Sequence, residues 1–356
     1  MPNVGRLRPV CDRAVMEPSA RAVCLVRYVE GGALSTDAFA VQDVPVRPLA
    51  DGEVRLQALA ISVDPYLRGR MTGKDTFFLP QFPLGEPLMS SGVARVTESR
   101  HLGYAPGDVV SGHLQWADTA VWPSGEHDPR LGGLAKVDLA LAKASHWVGA
   151  LGLNGRTAFF GVLGVARPRP GQTVLVSGAA GGIGSLAGQI ARIQGAHVVG
   201  LAGGPGKCAV LTEQLGFDGA LDYRSPTFDD DLRAALPDGP DIYFDNVGGE
   251  LSQKVMWSMS RGALVVECGQ ISTYDDEGGG WTVDIRPIHA NGLRWQSFTT
   301  AQFAEYEPAA VAQLGHWLRT GRIVALETER HGLDALPAAM VGLLRGENTG
   351  KMVVTL

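Results

Sequence analysis

The feature that most constrains this chain is an apolar run ending in a glycine-rich turn: TVLVSG at residues 173–178, followed by AAGGIG at 179–184. A short, continuous run of Val and Leu reads as a strand buried on both faces. Behind it the same alternation repeats. A helix is expected over 184–194, with Leu186, Ile190 and Ile193 on one face. Then come the strand HVVGLA (197–202), a helix over 207–215, the short strand GALDY (219–223) and a helix over 228–236. DIYFDNVGG (241–249) supplies a fourth strand and turn, 251–259 a helix, ALVVECG (263–269) a fifth strand and LRWQSFT (293–299) a sixth. This order predicts a doubly wound α/β domain, a parallel sheet with helices on both faces. Residues 154–163 ahead of it and 309–319 behind it read as helices, with Pro308 suited to the first turn of the latter.

Gly178, Gly181 and Gly184 are spaced G-x-x-G-x-x-G between strand and helix. Glycines here allow a tight turn, close approach to a phosphate and close packing of helix on strand, while the helix N-terminus offers free N–H groups to a pyrophosphate. A turn used only for packing is the alternative, and the strand–turn–helix context argues against it. Sites for NAD carry an acid at the end of the second strand to bind the ribose 2′-hydroxyl. That end reads LAGGPGK (201–207), with no acid and with Lys207 in reach of a 2′-phosphate. NADP(H) is therefore the expected cofactor; the alternative for Lys207 is a solvated residue opening the next helix.

Upstream, RAVCLVRY, EVRLQALAIS, GVARVTES, GDVVSG and DTAVW alternate strand formers with Gly, Pro, Asp or Ser, the pattern of a mainly β domain, a partly open barrel. The C-terminal GENTGKMVVTL is again strand-like and is expected to return to that domain. The division expected is a loose tail over 1–20, a discontinuous mainly β domain from 21–148 and 320–356, and the dinucleotide domain over 149–319. The first residues show no apolar secretory segment, and Met16 is an alternative start. A net charge of −6 with no basic run disfavours a nucleic-acid surface. No apolar stretch is long enough to span a membrane. Cys11, Cys24, Cys208 and Cys268 form no CxxC pair, which suits a reducing cytoplasm better than a disulfide framework.

Four strings carry a family resemblance: SVDPYLRGRM (62–71), RPRPGQTVLVSGAAGGIGSLAGQIA, the pair FDNVGG and GQISTYDD, and LLRGENTGK. In these the chain resembles the zinc-independent medium-chain dehydrogenase/reductases, specifically the group of prostaglandin reductase, leukotriene hydroxydehydrogenase and bacterial curcumin reductase. The resemblance runs from about Ala22 to Leu356. It implies a GroES-like catalytic domain beside the Rossmann domain and a homodimer joined edge to edge, with LRWQSFTT the candidate edge. Position by position it implies that Gly181, Gly182, Ile183 and Gly184 hold the pyrophosphate, and that Lys207 and Tyr223 touch the 2′-phosphate. Asn246 lines the groove, and Cys268, Gly269, Gln270, Ile271 and Ser272 wrap the nicotinamide end. Phe298, Thr299, Thr300 and Asn348 close over the cofactor. Two strings depart from the family. Pro-Gly-Leu-Thr-Ala-Tyr is replaced by Asn154-Gly-Arg-Thr-Ala-Phe159, which touches the substrate contacts of that helix, and MSSGVARV replaces a more glycine-rich version.

No metal is expected. No cysteine lies between Cys24 and Cys208, which removes the four-Cys lobe of zinc-dependent relatives, and the eight His form no HxxxH or CxxH group. His113, His127 and His146 are expected on the surface or in turns. No GxSxG elbow is present. Hydride addition to a conjugated C=C gathers charge on the carbonyl oxygen, where a hydrogen-bond donor lowers the barrier. Tyr274 in ISTY is the first candidate donor and Tyr66 in DPYLRGRM the second. Each has a bland alternative, a packing tyrosine at a loop mouth or a residue fixing a turn, and the cofactor's ribose hydroxyl is a third donor. Arg68 and Arg70 read as structural partners of carboxylates. The run YDDEGGG (274–280) reads as a loop near the cleft, solvated or, alternatively, a lid. The expected activity is NADPH-dependent reduction of an α,β-unsaturated ketone or aldehyde; the alternatives are quinone reduction and a cofactor-binding interaction protein with little turnover.

Overall fold

A computed structural model of the chain describes residues 19–76, 79–123, 132–276 and 281–356. Cys11, Met16, His127 and the end of the YDDEGGG run (277–280) lie outside the described residues.

The N-terminal third is antiparallel β structure. β1 (Ser19–Leu25) pairs with β2 (Phe39–Pro45) as a separate ribbon. β3 (Val54–Ser62), β4 (Met89–Ser99), β5 (Val109–Gln115) and β7 (Ala135–Lys136) form consecutive antiparallel neighbours, and β6 (Thr119–Trp122) pairs with the start of β3. In β3 Val54, Leu56, Ala58 and Ala60 are buried, and alternation gives way to full burial at Ile61–Ser62, where the strand runs under the rest of the chain. Two register shifts in the β3–β4 pair, at Arg55/Leu56 and Ala58/Ala60, mark bulges that bend the sheet.

Two short helices lead into the second half: α1 (Ala144–Val148) and α2 (Leu153–Phe159). The expected single helix over 154–163 is instead α2 followed by a wider π-helical stretch, Phe160–Ala166, that stops at Arg167 in the left-handed conformation. The second sheet follows. Its parallel strands are β8 (Thr173–Val176), β9 (His197–Ala202), β10 (Gly219–Asp222), β11 (Ile242–Asp245), β12 (Leu264–Glu267) and β13 (Arg294–Ser297). The helices between and after them are α3 (Gly184–Ile193), α4 (Pro205–Glu213), α5 (Phe228–Ala235), α6 (Gly249–Ser258), α7 (Arg286–Asn291) and α8 (Glu307–Arg319). The strand order is β10-β9-β8-β11-β12-β13. Order reverses between β8 and β11, so the crevice at their C-terminal ends is where a doubly wound sheet places its ligand. Val174, Leu175, Val176, Tyr243 and Phe244 are 0–2% exposed, so the middle of the sheet is covered on both faces.

The chain ends with β14 (Glu327–His331), α9 (Leu336–Leu344) and β15 (Lys351–Thr355). β15 pairs antiparallel with β3 and parallel with β14, so the last strands complete the first sheet. The fold is the two-part α/β architecture the sequence pattern anticipates. Two placements differ from expectation. His113 lies within β5, and His146 lies in α1 beside Glu327, where burial holds its pKa below the ordinary value. Neither occupies a turn, and both are partly buried.

Candidate cofactor and active site

The glycine turn leaves β8 and enters α3. Gly178 has φ of 56°, which excludes most side chains, and a β-carbon at Gly184 would collide with the Gly178 carbonyl oxygen. Gly181 N–H donates to that carbonyl at 2.9 Å, closing the turn, and Ser185 N–H donates back to Gly181 at 3.1 Å. Helix α3 therefore starts directly above the strand end, with first-turn N–H groups and the positive end of its dipole at Gly182 and Ile183. The C-terminal segment props the turn from outside. Gly350 N–H donates to the Ala180 carbonyl at 2.7 Å, and buried Asn348 donates its Nδ2 to the Gly350 carbonyl at 2.7 Å.

Across the reversal point the turn after β11 is built around the buried carboxylate of Asp245. Its Oδ1 accepts from Ser177 Oγ, Tyr243 Oη and the Val247 and Gly248 N–H groups at 2.8–3.1 Å, and Oδ2 accepts from Ser252 Oγ. These bonds fix Asn246, which donates its Nδ2 to the Ser177 carbonyl at 2.7 Å. Asn246 Oδ1 is buried with no hydrogen-bond partner among the described residues, next to Gly178, whose β-carbon would lie 3.4 Å from Asn246 Cβ. An orphaned acceptor beside the glycine turn fits a cofactor that brings its own donor groups.

The loop after β12 folds onto this turn. Cys268 and Gly269 N–H groups donate to the Asp245 carbonyl, and Ile271 and Ser272 N–H groups to the Asn246 and Val247 carbonyls. Gln270 donates its Nε2 to Glu267 Oε1 at 2.7 Å. Burial, with Asp245 and Glu267 nearby, pushes the Cys268 thiol far above its ordinary pKa, so it remains a thiol. A β-carbon at Gly269 would lie 3.6 Å from the Asn246 carbonyl oxygen and 3.8 Å from the Tyr274 hydroxyl. Tyr274 thus stands against the backbone that carries Asn246. Its phenol is pushed above the ordinary value by burial, against a backbone hydrogen bond with Gln270, and Cys268 and Glu267 nearby add to the rise.

Tyr66 lies in a 3-10 helix, Pro65–Met71, partly buried against the core of the first half. Burial, then Asp64, raises its pKa strongly, and Arg70 opposes them. The two tyrosine segments are joined directly, because Arg68 Nε donates to Asp275 Oδ1 at 2.7 Å. The expectation that Arg68 serves a carboxylate is met. Arg70 Nε donates to the Pro80 carbonyl at 2.7 Å, and its guanidinium stacks 3.7 Å from the Phe82 ring centre.

At the far end of the crevice Lys207 is the third residue of α4, half-buried, with Nζ donating to the Gly346 carbonyl at 2.7 Å. Burial and the charge of Arg224 lower its pKa. Arg224 is a residue that sequence reasoning missed. A β-carbon at Gly203 would lie 2.8 Å from Arg224 Nε and 2.9 Å from the Tyr223 hydroxyl, so both side chains lean over the end of β9. Asp222 accepts from the N–H groups of Gly204 and Arg224 at 2.8 and 2.9 Å, which fixes that bend. Two cations and a phenol beside the end of β9, with Asp222 turned to the Gly204 and Arg224 N–H groups, could hold a 2′-phosphate. The signal was present in the sequence as a second basic residue directly after Tyr223.

Phe298 packs near Gly161 beside Phe244, Thr299 caps the helix Thr300–Tyr306 through a reciprocal bond with Gln302, and Thr300 opens that helix. The departing string is also used structurally. Arg156 pairs with Glu307, and the Phe159 ring lies 5.9 Å from that of Trp317. Among the described residues no three His, Cys, Asp or Glu side chains are grouped to hold a metal ion.

Comparison with known proteins places the chain in a family. A family model described as the N-terminal domain of oxidoreductase matches residues 21–128, and one described as zinc-binding dehydrogenase matches residues 182–315. The protein YfmJ of Bacillus subtilis (strain 168) is 39% identical over 95% of this chain and 98% of its own length. The NADP-dependent 2-alkenal reductase of Nicotiana tabacum is 33% identical over 95% of this chain and 98% of its own. The solved structure of CurA from Vibrio vulnificus in complex with NADPH superposes with a TM-score of 0.85 at 31% identity, covering 94% of this chain and 99% of that one.

Proposed function

The chain belongs to the zinc-independent medium-chain reductases, the family of the prostaglandin, alkenal and curcumin reductases, and from that premise we propose that Tyr274 is the proton-side partner in its reduction of a conjugated C=C bond. The protein is an NADP(H)-dependent oxidoreductase acting on α,β-unsaturated ketones and aldehydes. Bound NADPH supplies the hydride that adds to the β-carbon. The residues of the chain do the rest. Gly178, Gly181, Gly182, Ile183 and Gly184 would hold the pyrophosphate, Lys207 and Arg224 would offset the charge of the 2′-phosphate, and Tyr223 would donate a hydrogen bond to it. Asn246 and the loop of Cys268, Gly269, Gln270, Ile271 and Ser272 border the nicotinamide end, with Asn348 bracing the glycine turn from behind. Phe298, Thr299 and Thr300 form the neighbouring wall.

One observation carries the assignment of Tyr274: its hydroxyl stands against Gly269, and that residue stands against Asn246, beside the glycine turn. Its raised pKa keeps the phenol protonated and able to donate to an oxygen gathering enolate charge. Tyr66, on the facing segment, is the second candidate donor. Replacing Tyr274 with Phe should lower kcat by about a hundredfold and leave NADPH affinity intact. Wild-type turnover in that variant removes Tyr274 from the mechanism.

The assembly we propose is a homodimer. β13 ends the second sheet, so one of its edges has no strand neighbour among the described residues, and Trp257 and Ile285 are exposed, 48% and 67%. Light scattering at the mass of one chain contradicts it. No helix among the described residues is long and apolar enough to cross a membrane. Cys24, Cys208 and Cys268 are unpaired thiols, which suits a cytoplasmic setting.

A further inference from the structure

Arg68 is fully buried, yet it lies in the first half of the molecule and finds its carboxylate in the second. Its three bonds converge from separate segments. Nε donates to Asp275 Oδ1 at 2.7 Å, Nη1 to the Val29 carbonyl at 2.9 Å and Nη2 to the Gly32 carbonyl at 3.0 Å. A second bond runs in parallel, from Gly32 N–H to the Asp275 carbonyl at 3.0 Å. Asp275 is therefore held by both its side chain and its backbone, although its side chain is 39% exposed. The residue before it is Tyr274, and two residues before Arg68 is Tyr66.

We propose that Arg68 and Asp275 are positioning residues, a latch across the cleft that sets the Tyr274 phenol relative to the Tyr66 side. The proposal rests on the reading of Tyr274 as the proton-side partner. The physical case has three parts. The loop after β12 is fixed at its start by bonds from residues 268–272 to the turn after β11. At its far end, the described bonds to the first half run through Asp275. Tyr274 sits between the two anchors, so the direction of its ring follows from both. A guanidinium is suited to this place because its planar fork binds two backbone carbonyls and a carboxylate at fixed angles, which an ammonium on a flexible stem does not. Burying it with only the carbonyls of Val29 and Gly32 would leave a charge without a counter-ion, so Arg68 favours the arrangement in which Asp275 is docked. A function limited to joining the halves would need no particular neighbour; this pair lies next to both tyrosines.

The test uses the full-length protein with Asp275→Asn, Arg68→Lys, Tyr274→Phe and the double variant Tyr274→Phe/Asp275→Asn. Turnover with an enone, NADPH affinity without substrate by fluorescence titration, and amide hydrogen exchange at 271–276 are read in parallel. Asp275→Asn keeps the shape and an acceptor oxygen and loses the charge. It should lower kcat by about ten- to a hundredfold, leave NADPH affinity as in wild type, and speed exchange at 271–276. Arg68→Lys keeps the charge, so it should lower kcat less than Arg68→Ala, made alongside it, does. In the Tyr274→Phe background, Asp275→Asn should cost nothing further, because the latch acts through the phenol. Wild-type kcat and exchange in Asp275→Asn overturn the latch and leave Tyr274 standing. An Asp275→Asn loss that is undiminished in the Tyr274→Phe background also overturns it. Wild-type turnover in Tyr274→Phe overturns the reading of Tyr274 and the catalytic purpose of the latch; it is told apart from failure of the latch itself by faster exchange persisting in Asp275→Asn.

Discussion

Replacing Lys351 with Met should destabilise the protein more than any exposed charge change. Lys351 Nζ donates to Asp64 Oδ1 and to the Val63 carbonyl, each at 2.7 Å, and both side chains of the pair are 5% exposed. The stem also abuts the cofactor turn, since a β-carbon at Gly182 would lie 3.4 Å from Lys351 Cδ. One residue thus contacts the glycine turn at one end and the strand leading to Tyr66 at the other. Methionine fills the stem's volume but strands Asp64, whose other side-chain partner is the Ser62 hydroxyl. Breaking a buried pair from one side costs about 3–5 kcal/mol. For a chain of this size that is a fall in Tm on the order of 10 °C. Thermal and urea unfolding followed by circular dichroism would measure it. The double variant Lys351→Met/Asp64→Asn removes both charges, leaves an amide oxygen for Ser62 to donate to, and should recover more than half of the loss. A single-variant loss under about 1 kcal/mol, the scale of an exposed pair, would refute the reasoning. So would a double variant as unstable as the sum of the two singles.

Two further outcomes are expected. Lys207→Ala and Arg224→Ala should each weaken NADPH binding by about ten- to a hundredfold, as for loss of a charge-assisted hydrogen bond, and leave NADH binding nearly unchanged; equal losses for both cofactors would place these residues away from the 2′-phosphate. The pKa of Tyr274 is raised, so its phenol ionises above the ordinary tyrosine value of about 10. A proton donor is lost only as pH rises through the folded-state pKa, so kcat should show no fall from this group through pH 9, and a tyrosine-dependent fall centred below 9 would contradict the assignment.

Much of the second half is legible in the sequence because its strands are buried on both faces. TVLV, HVVGLA and LVVE carry no alternation to misread, and a glycine follows each within two residues. The glycine turn is legible because its geometry permits little else at Gly178 and Gly184. What escapes notice is held by polar groups at long range. β14, ETERH, is a polar edge strand whose identity comes from pairing with β15 rather than from propensity. The stretch Phe160–Ala166 is helical in composition but takes π geometry, and its Phe160 stacks on Phe303, 143 residues away, a contact that no local pattern encodes. The Asp245 carboxylate reads as one letter of FDNVGG, and only folding shows that it organises Ser177, Tyr243 and Ser252. Asp275 sits in an acidic run that reads as solvated, yet its partner is 207 positions away. Arg224 needed only attention to the residue after Tyr223; its approach to Gly203 depends on the bend fixed by Asp222.

The most direct test of the central claim follows the hydride itself. The protein is incubated with NADPH carrying deuterium at C4 and an acyclic enone, and the product is read by NMR. The account predicts a saturated ketone with deuterium at the β-carbon, the carbonyl intact, and little label transfer when labelled NADH is supplied instead. Deuterium on the carbonyl carbon of an unsaturated alcohol, or oxidation of NADPH by quinones with none by enones, would contradict it.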